Sequence, residues 1–443
     1  MSSTQNKYPS SRYAWYTVVI LTIAYIFSFI DRWILGLLVE PIKADLGVSD
    51  SEMGLLLGFW FALFYAFAGL PLGYLADRKR RTWIVAVGVT VWSAATAASG
   101  FAKNFWHMAL ARMGVGAGEA TLSPCAMSMI SDSFPPERRG KPIAFYTAAL
   151  SVGAAIASLV SAAILAWTSS GESVSLPFVG EVAPWRATFL IVGLPGLLLA
   201  VVFFFMREPP RIDKNASSTA GFTDMLHSLG GMLRYVGTNW KVYTSFVIFV
   251  CLMTLCAYSQ GFFAAMFSRT WGWPGQTYAL VNGLVLLAVG PLTVNLAGWM
   301  SDKFYSRGRK DAPFLIVVLG AFIFVPTQII APLMPTPALA FVLIAVNTIG
   351  IAMTSATGVT ALLQITPSRI RAQTIAFYYL IISLAGAAGP RVVGQLSDKV
   401  FGNENLNYAM AATPLIFGLL VLPWAGYALR TYNAELAKHD DQE

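Results

Sequence analysis

Charge is scarce in this sequence. Only 12% of the 443 residues are Asp, Glu, Lys or Arg, about half the share that soluble proteins carry. Length alone would suggest about three soluble domains, but 56% of the residues are hydrophobic, and that composition excludes them. Histidine and cysteine are rarer still, at three each. His107, His227 and His439 are scattered, and Cys125, Cys251 and Cys256 sit in apolar runs. They supply neither a disulfide framework nor a metal set, and the cysteines read as packing residues. Also missing are a Gly-x-Ser-x-Gly elbow, a His-Glu-x-x-His pair and a Gly-x-x-x-x-Gly-Lys-Ser/Thr loop to cradle a phosphate. These absences argue against an enzyme, and against ATP-driven pumping by this chain alone. No small-residue cleavage site ends the first apolar run, which is therefore expected to stay as a helix.

What is present is a series of apolar runs, each near the roughly 20 residues that cross a bilayer. Six lie at 14–39, 53–75, 82–102, 105–130, 142–167 and 185–206, and six more at 242–267, 276–300, 313–334, 337–365, 372–396 and 408–428. The expected fold is an all-α membrane protein of twelve transmembrane helices. Its expected parts are an N-terminal six-helix bundle (1–206), a linker (207–239) and a C-terminal six-helix bundle (240–443). In the linker, Phe222, Met225, Leu226, Leu229, Met232 and Leu233 recur at helical spacing, the pattern of an amphipathic helix lying on a membrane surface.

With both termini inside, most of the 30 basic residues fall on inner segments, including Arg78, Lys79, Arg80, Arg81, Arg138, Arg139, Arg207, Arg211, Lys303, Arg307 and Arg309. This bias predicts cytoplasmic termini. It also accounts for the net charge of +8 without a nucleic-acid partner.

The halves resemble each other. Pro135, Arg139 and Ile143-Ala144-Phe145-Tyr146 recur half a chain later as Pro367, Arg371 and Ile375-Ala376-Phe377-Tyr378, and Gly73 with Asp77 recurs as Gly298 with Asp302. Six spans separate the copies, so the repeats are parallel, as in carriers that rock about a central site.

Charges at membrane depth are costly, and they mark functional cavities. Taking a rise of about 1.5 Å per residue, Asp31 falls about 7 Å outward of the midplane, Arg112 about 9 Å outward and Glu119 near the centre. Arg112 and Glu119 are two turns apart on one helix face. This suggests a triad in which Asp31 and Glu119 bind protons and Arg112 tunes them, since burial favours the neutral acid and a guanidinium opposes it. A purely structural ion pair between spans one and four is the alternative. Arg32, adjacent in sequence to Asp31, must point about 100° away from it on a helix, and is expected to snorkel outward. Arg391 either contacts an anionic substrate group or snorkels. The buried charges, three Arg against two acids, favour an anionic or zwitterionic substrate.

Tyr25, Tyr258 and Tyr378 could line a pocket for an apolar tail, with Gln260 and Asn347 completing the wall together with Arg112, Glu119 and Arg391; packing is the simpler role for each ring and amide. The glycine pairs Gly54/Gly58, Gly69/Gly73 and Gly114/Gly118 have the spacing that permits close helix contact.

The stretch Gly73-Tyr74-Leu75-Ala76-Asp77-Arg78-Lys79-Arg80-Arg81 resembles the loop between helices two and three of the major facilitator superfamily. Arg80 stands where that family usually has a second glycine. Gly298 to Lys303 is similar to the weaker second-half copy, and Arg112, Gly116 and Gly118 resemble the family's fourth-helix motif. Asp31-Arg32 together with the stretch from Gly114 to Ala120 looks like the Spinster branch, whose animal members carry lysophospholipids and sphingosine-1-phosphate. The resemblance implies a monomeric secondary carrier working by alternating access; the buried Asp31, Arg112 and Glu119 point to a proton gradient as its driving force, without a bound cofactor. It would have a cytoplasmic gate at Gly73, Asp77, Arg78 and Arg81, where Asp77 would meet the start of span eleven. Asp132 is a candidate partner for Arg78 or Arg81. The expected setting is a bacterial inner membrane, with membrane lipids and a small amphipathic substrate as partners. A drug or organic-anion antiporter of another branch is the alternative, and a transport-dead sensor on the same fold is a further one.

Overall fold

The computed structural model describes residues 8–135, 138–168, 173–176, 179–211, 222–367 and 370–440. Among them, 11 helices are long and apolar enough to cross a membrane, from Ser11–Leu37 (span one) to the helical stretch Asn403–Lys438 (span twelve). Span four is the additional apolar segment. The sequence reads it as one continuous run, whereas the structure divides it into Phe105–Glu119 and Leu122–Ser133. Pro124 supplies a reason, because it has no N–H to donate to the carbonyl four residues earlier and so cannot sustain the ladder. At the break, the Thr121 hydroxyl donates to the Gly118 carbonyl at 2.8 Å.

Other spans are also interrupted. Span two starts as Asp50–Gly54, passes through a wider π turn at Leu55–Phe59 and continues as Trp60–Arg78. Span seven runs as Trp240–Tyr258, a 3₁₀ turn at Ser259–Phe262 and Phe263–Trp271. The remaining long helices are Arg81–Ser99, Gly140–Thr168, Pro184–Phe205, Gly275–Ser306, Ala312–Ile330, Pro337–Gln364 and Arg371–Leu396 (spans three, five, six, eight, nine, ten and eleven). Strands Val174–Leu176 and Gly180–Val182 form a small antiparallel hairpin between spans five and six, a feature that the apolar pattern does not announce. The amphipathic stretch of the linker forms the helix Phe222–Thr238.

The chain folds as two compact units. One comprises Met1–Val48, Phe59–Ala220 and Pro274–Leu284; the other comprises Ser49–Gly58, Gly221–Trp273 and Val285–Glu443. The start of span two thus packs with the second unit and the start of span eight with the first. This exchange is symmetric in the two sequence repeats. The first unit's core includes Val18, Leu21, Val85, Trp92, Met129 and Phe203, and the second's includes Phe246, Phe249, Phe314, Val325 and Tyr432. Cys125 and Cys256 are buried in these cores.

Glycine sets the helix approach at several of the sites that the four-residue spacing singles out. A Cβ at Gly118 would lie 2.7 Å from the Gly88 carbonyl oxygen and the Trp92 nitrogen, so spans three and four touch backbone to backbone. Gly58 meets Ala387 of span eleven in the same way. Gly69 and Gly73, by contrast, have nothing within 4 Å of such a Cβ, so that pair does not mark a close contact.

Candidate functional site

The first unit holds a buried cluster of two acids and two guanidinia from spans one and four. Asp31, Arg112 and Glu119 are 3%, 1% and 2% exposed. Glu119 sits at the end of the first half of span four, beside the break, and its Oε2 accepts three contacts. The Arg32 Nε donates at 2.7 Å, the Arg32 NH2 lies at 2.5 Å, and the Ser28 hydroxyl donates at 2.7 Å. Ser28 and Arg32 are one turn apart on span one, and so present one face to the carboxylate.

This corrects the reading of Arg32 as a snorkelling residue. Asp31 and Arg32 do diverge around the helix, but Arg32 turns to Glu119 and keeps a 30% exposed side chain. The Arg32 guanidinium also lies 4.7 Å from the centre of the Phe61 ring and 5.4 Å from that of Tyr65. These cation–π contacts help hold it at depth.

Arg112 and Asp31 are neighbours, as their matched heights imply, although the hydrogen bond joining them runs from the Arg112 NH1 to the Asp31 main-chain carbonyl at 3.3 Å. Among the described residues, Asp31 Oδ1, Glu119 Oε1 and Arg112 Nε are buried without a hydrogen-bond partner. Each acid therefore keeps one oxygen with unused acceptor capacity. Tyr25 lies close by on span one and stacks on Tyr146 of span five, with centroids 5.1 Å apart.

A second cluster gathers at the Arg81 end of the first unit. Arg81 is buried, and its guanidinium donates to Glu208 at 2.7 Å, Ser128 at 2.8 Å and the Pro209 carbonyl at 2.9 Å, as well as forming an ion pair with Asp132. Glu208 also accepts from the Thr82 main-chain nitrogen at 3.1 Å. The candidate pair of Arg81 with Asp132 is thus formed, and Glu208 is the member that the loop motif alone did not reveal. A signal lies in the sequence, since Glu208 is the second residue after the sixth apolar run. Arg78 is exposed and lies 3.6 Å from the centre of the Tyr74 ring. The Asp77 side chain lies outside the described residues.

In the second unit, spans seven, nine and ten form a buried amide network. Gln260, in the 3₁₀ turn of span seven, donates to Asn347 at 2.7 Å and to Gln328 at 2.9 Å. Asn347 in turn donates to the Phe324 carbonyl and to Thr327, both at 3.1 Å. The structure brings together the predicted Gln260 and Asn347, and adds the fully buried Gln328. Tyr258 is 47% exposed, whereas Tyr378 is buried in the core against Phe246. Arg391 donates to the Ser51 carbonyl at 2.7 Å, beside a fully buried Asp50 held bidentately by Arg269 at 2.7 and 2.8 Å.

Comparison with known proteins agrees with this architecture. A family model described as Major Facilitator Superfamily matches residues 21–390 and 248–438. A solved structure of a bacterial homologue of the human lysosomal transporter Spinster, inward-facing and unoccupied, superposes with a TM-score of 0.81 at 28% identity. The match covers 96% of this chain and 99% of that one. An MFS-type efflux pump of Mycolicibacterium smegmatis is 27% identical over 88% of this chain and 86% of its own length. Protein spinster of Drosophila melanogaster is 24% identical over 89% of this chain, which spans 64% of that protein.

Proposed function

Because the chain belongs to the Major Facilitator Superfamily and resembles its Spinster branch, we propose that it moves an amphipathic substrate with an anionic or zwitterionic head, coupled to protons. That it is a multi-pass membrane transporter rather than an enzyme follows from the family; the substrate and the coupling ion are our reading. The observation that carries it is the Asp31, Arg32, Arg112 and Glu119 cluster, where the Glu119 carboxylate pairs with Arg32 and the buried Asp31 lies beside Arg112.

The four charges balance when all are ionised. Protonation of Glu119 removes the charge that holds Arg32 and leaves a partly exposed guanidinium available to a substrate anion. Substrate head and carboxylate then compete for one cation, so loading of substrate and of proton are linked thermodynamically. Asp31 is the second proton acceptor in this scheme, with Arg112 beside it. The part-buried Gln260 amide, positioned by the buried Gln328 and Asn347, offers a neutral polar group to the head of a substrate, and Tyr25 and Tyr258 offer apolar ring surface, while the buried Tyr378 supports them from the core. Arg391 serves the outer end of the pathway. Gly73, Asp77, Arg78, Arg81 and Asp132 form the cytoplasmic gate, and two six-helix bundles in a monomer carry the alternating access.

Counterflow into proteoliposomes, screened with lysophospholipids, sphingoid phosphates, organic anions and cationic dyes at two pH values, tests this proposal. Labelled lysolipid or sphingoid phosphate should exchange. Exchange of cationic dyes alone would contradict it and favour the second reading, a drug antiporter, which the likeness to an efflux pump supports. Binding without exchange would point to a sensor.

A further inference from the structure

At the Arg207 end of the first unit, the start of span one and the end of span six flank an open groove of about 630 Å³ lined by Tyr13, Tyr16, Val201, Val202, Phe205, Met206 and Arg207. Its lining is graded from apolar to charged. Val201 is 50% exposed and Phe205 84% exposed, offering aliphatic and aromatic surface. The Tyr13 and Tyr16 rings lie 5.7 Å apart, and Tyr13 is fixed to the end of span six by two bonds: it donates to the Arg207 carbonyl at 3.0 Å and accepts from the Arg207 nitrogen at 2.7 Å. One edge of the groove is therefore fixed.

Arg207 is exposed at this rim, and among the described residues no ion pair of its guanidinium is recorded. The nearest acid in sequence is committed elsewhere, since both Glu208 oxygens are taken by Arg81 and Thr82. An exposed arginine thus lines an apolar groove at the membrane edge to which the basic loops assign the cytoplasmic leaflet. That leaflet carries anionic lipid, and basic pockets between helices there recognise lipid head groups.

We propose that this groove is a specific site for one anionic phospholipid of the inner leaflet, with the phosphodiester on Arg207, the glycerol region against Tyr13 and Tyr16, and an acyl chain over Val201 and Phe205. The site is separate from the Asp31 and Glu119 cluster and does not depend on the transport reading.

Native mass spectrometry of the purified full-length protein, after addition of phosphatidylglycerol or phosphatidylcholine, tests it. The wild type should retain one phosphatidylglycerol adduct and about tenfold less phosphatidylcholine. Arg207→Gln should remove that preference, while Arg12→Gln, which alters an exposed charge that does not line the groove, should keep it. Val201→Trp fills the recess from an exposed position and should lower the adduct with Arg207 intact, so the test survives if Arg207→Gln folds poorly. Equal retention of both lipids, or an unchanged preference in Arg207→Gln or Val201→Trp, or its loss in Arg12→Gln, would overturn the assignment.

Discussion

Replacing Arg81 by lysine keeps the charge and removes the fork. In the wild type, the three nitrogens of one guanidinium serve Glu208, Asp132, Ser128 and the Pro209 carbonyl from a side chain that is 1% exposed. A lysine has a single nitrogen at the end of a narrower stem and can hold one of the two acids in good geometry. At least one charge-assisted bond, and the bond to Pro209, would be lost. A hydrogen bond to a charged group contributes about 1.5–3 kcal/mol and a neutral one about 1. The side chains of Asp132 and Glu208 are 17% and 20% exposed, so water recovers part of the loss. The net effect is about 2–3 kcal/mol, confined to the junction between the start of span three, the end of span four and the segment after span six. At about 1.4 kcal/mol per factor of ten, amides held by this junction should exchange about 30- to 150-fold faster. Hydrogen exchange of peptides covering Thr82 and Arg207 reads this directly, with the Asp31 and Glu119 region as internal reference. Unchanged exchange at Thr82 in Arg81→Lys would refute the argument that the guanidinium joins these segments.

Other expectations follow from the same geometry. Gly118→Val places side-chain carbon against the backbone of Gly88 and Trp92; overpacking of this kind costs about 1–3 kcal/mol, and the melting temperature in detergent should fall, while Gly69→Ala should leave it unchanged. Asp50→Asn removes the charge that pairs Arg269 in a buried site, so a stability loss of about 3 kcal/mol is expected, and Arg269→Met in the same background should recover part of it. Gln328→Leu leaves Gln260 short of one acceptor and should raise the substrate KM severalfold in transport assays without loss of folded protein.

Much of the architecture is legible in the sequence because membrane insertion imposes it. Apolar runs of span length, the Gly73 to Arg81 loop and the doubled Pro135/Pro367 segment are local patterns, and each corresponds to an element of the fold. The charge scarcity also directs attention to Asp31, Arg112 and Glu119, which the structure gathers in one cluster. What stayed hidden is pairing. Depth arithmetic ranks residues by height but says little about azimuth, so Arg32 looked like an outward-turned neighbour of Asp31 when its partner is Glu119. The one-turn spacing of Ser28 and Arg32 is the signal that could have shown it. Glu208 and Gln328 were missed for a related reason: their partners lie on other spans, at sequence distances that no periodicity reports. For the break of span four, the signal in the sequence is Pro124 inside the apolar run.

In the proposed mechanism Glu119, through Arg32, links protons to substrate. The most direct test of this link compares wild type and Glu119→Gln in the same proteoliposomes, measuring uptake driven by an imposed pH gradient and counterflow without one, for the substrate found in the screen. Glu119→Gln is expected to lose gradient-driven uptake and to retain counterflow. Gradient-driven uptake equal to wild type in a variant that still exchanges substrate would contradict it.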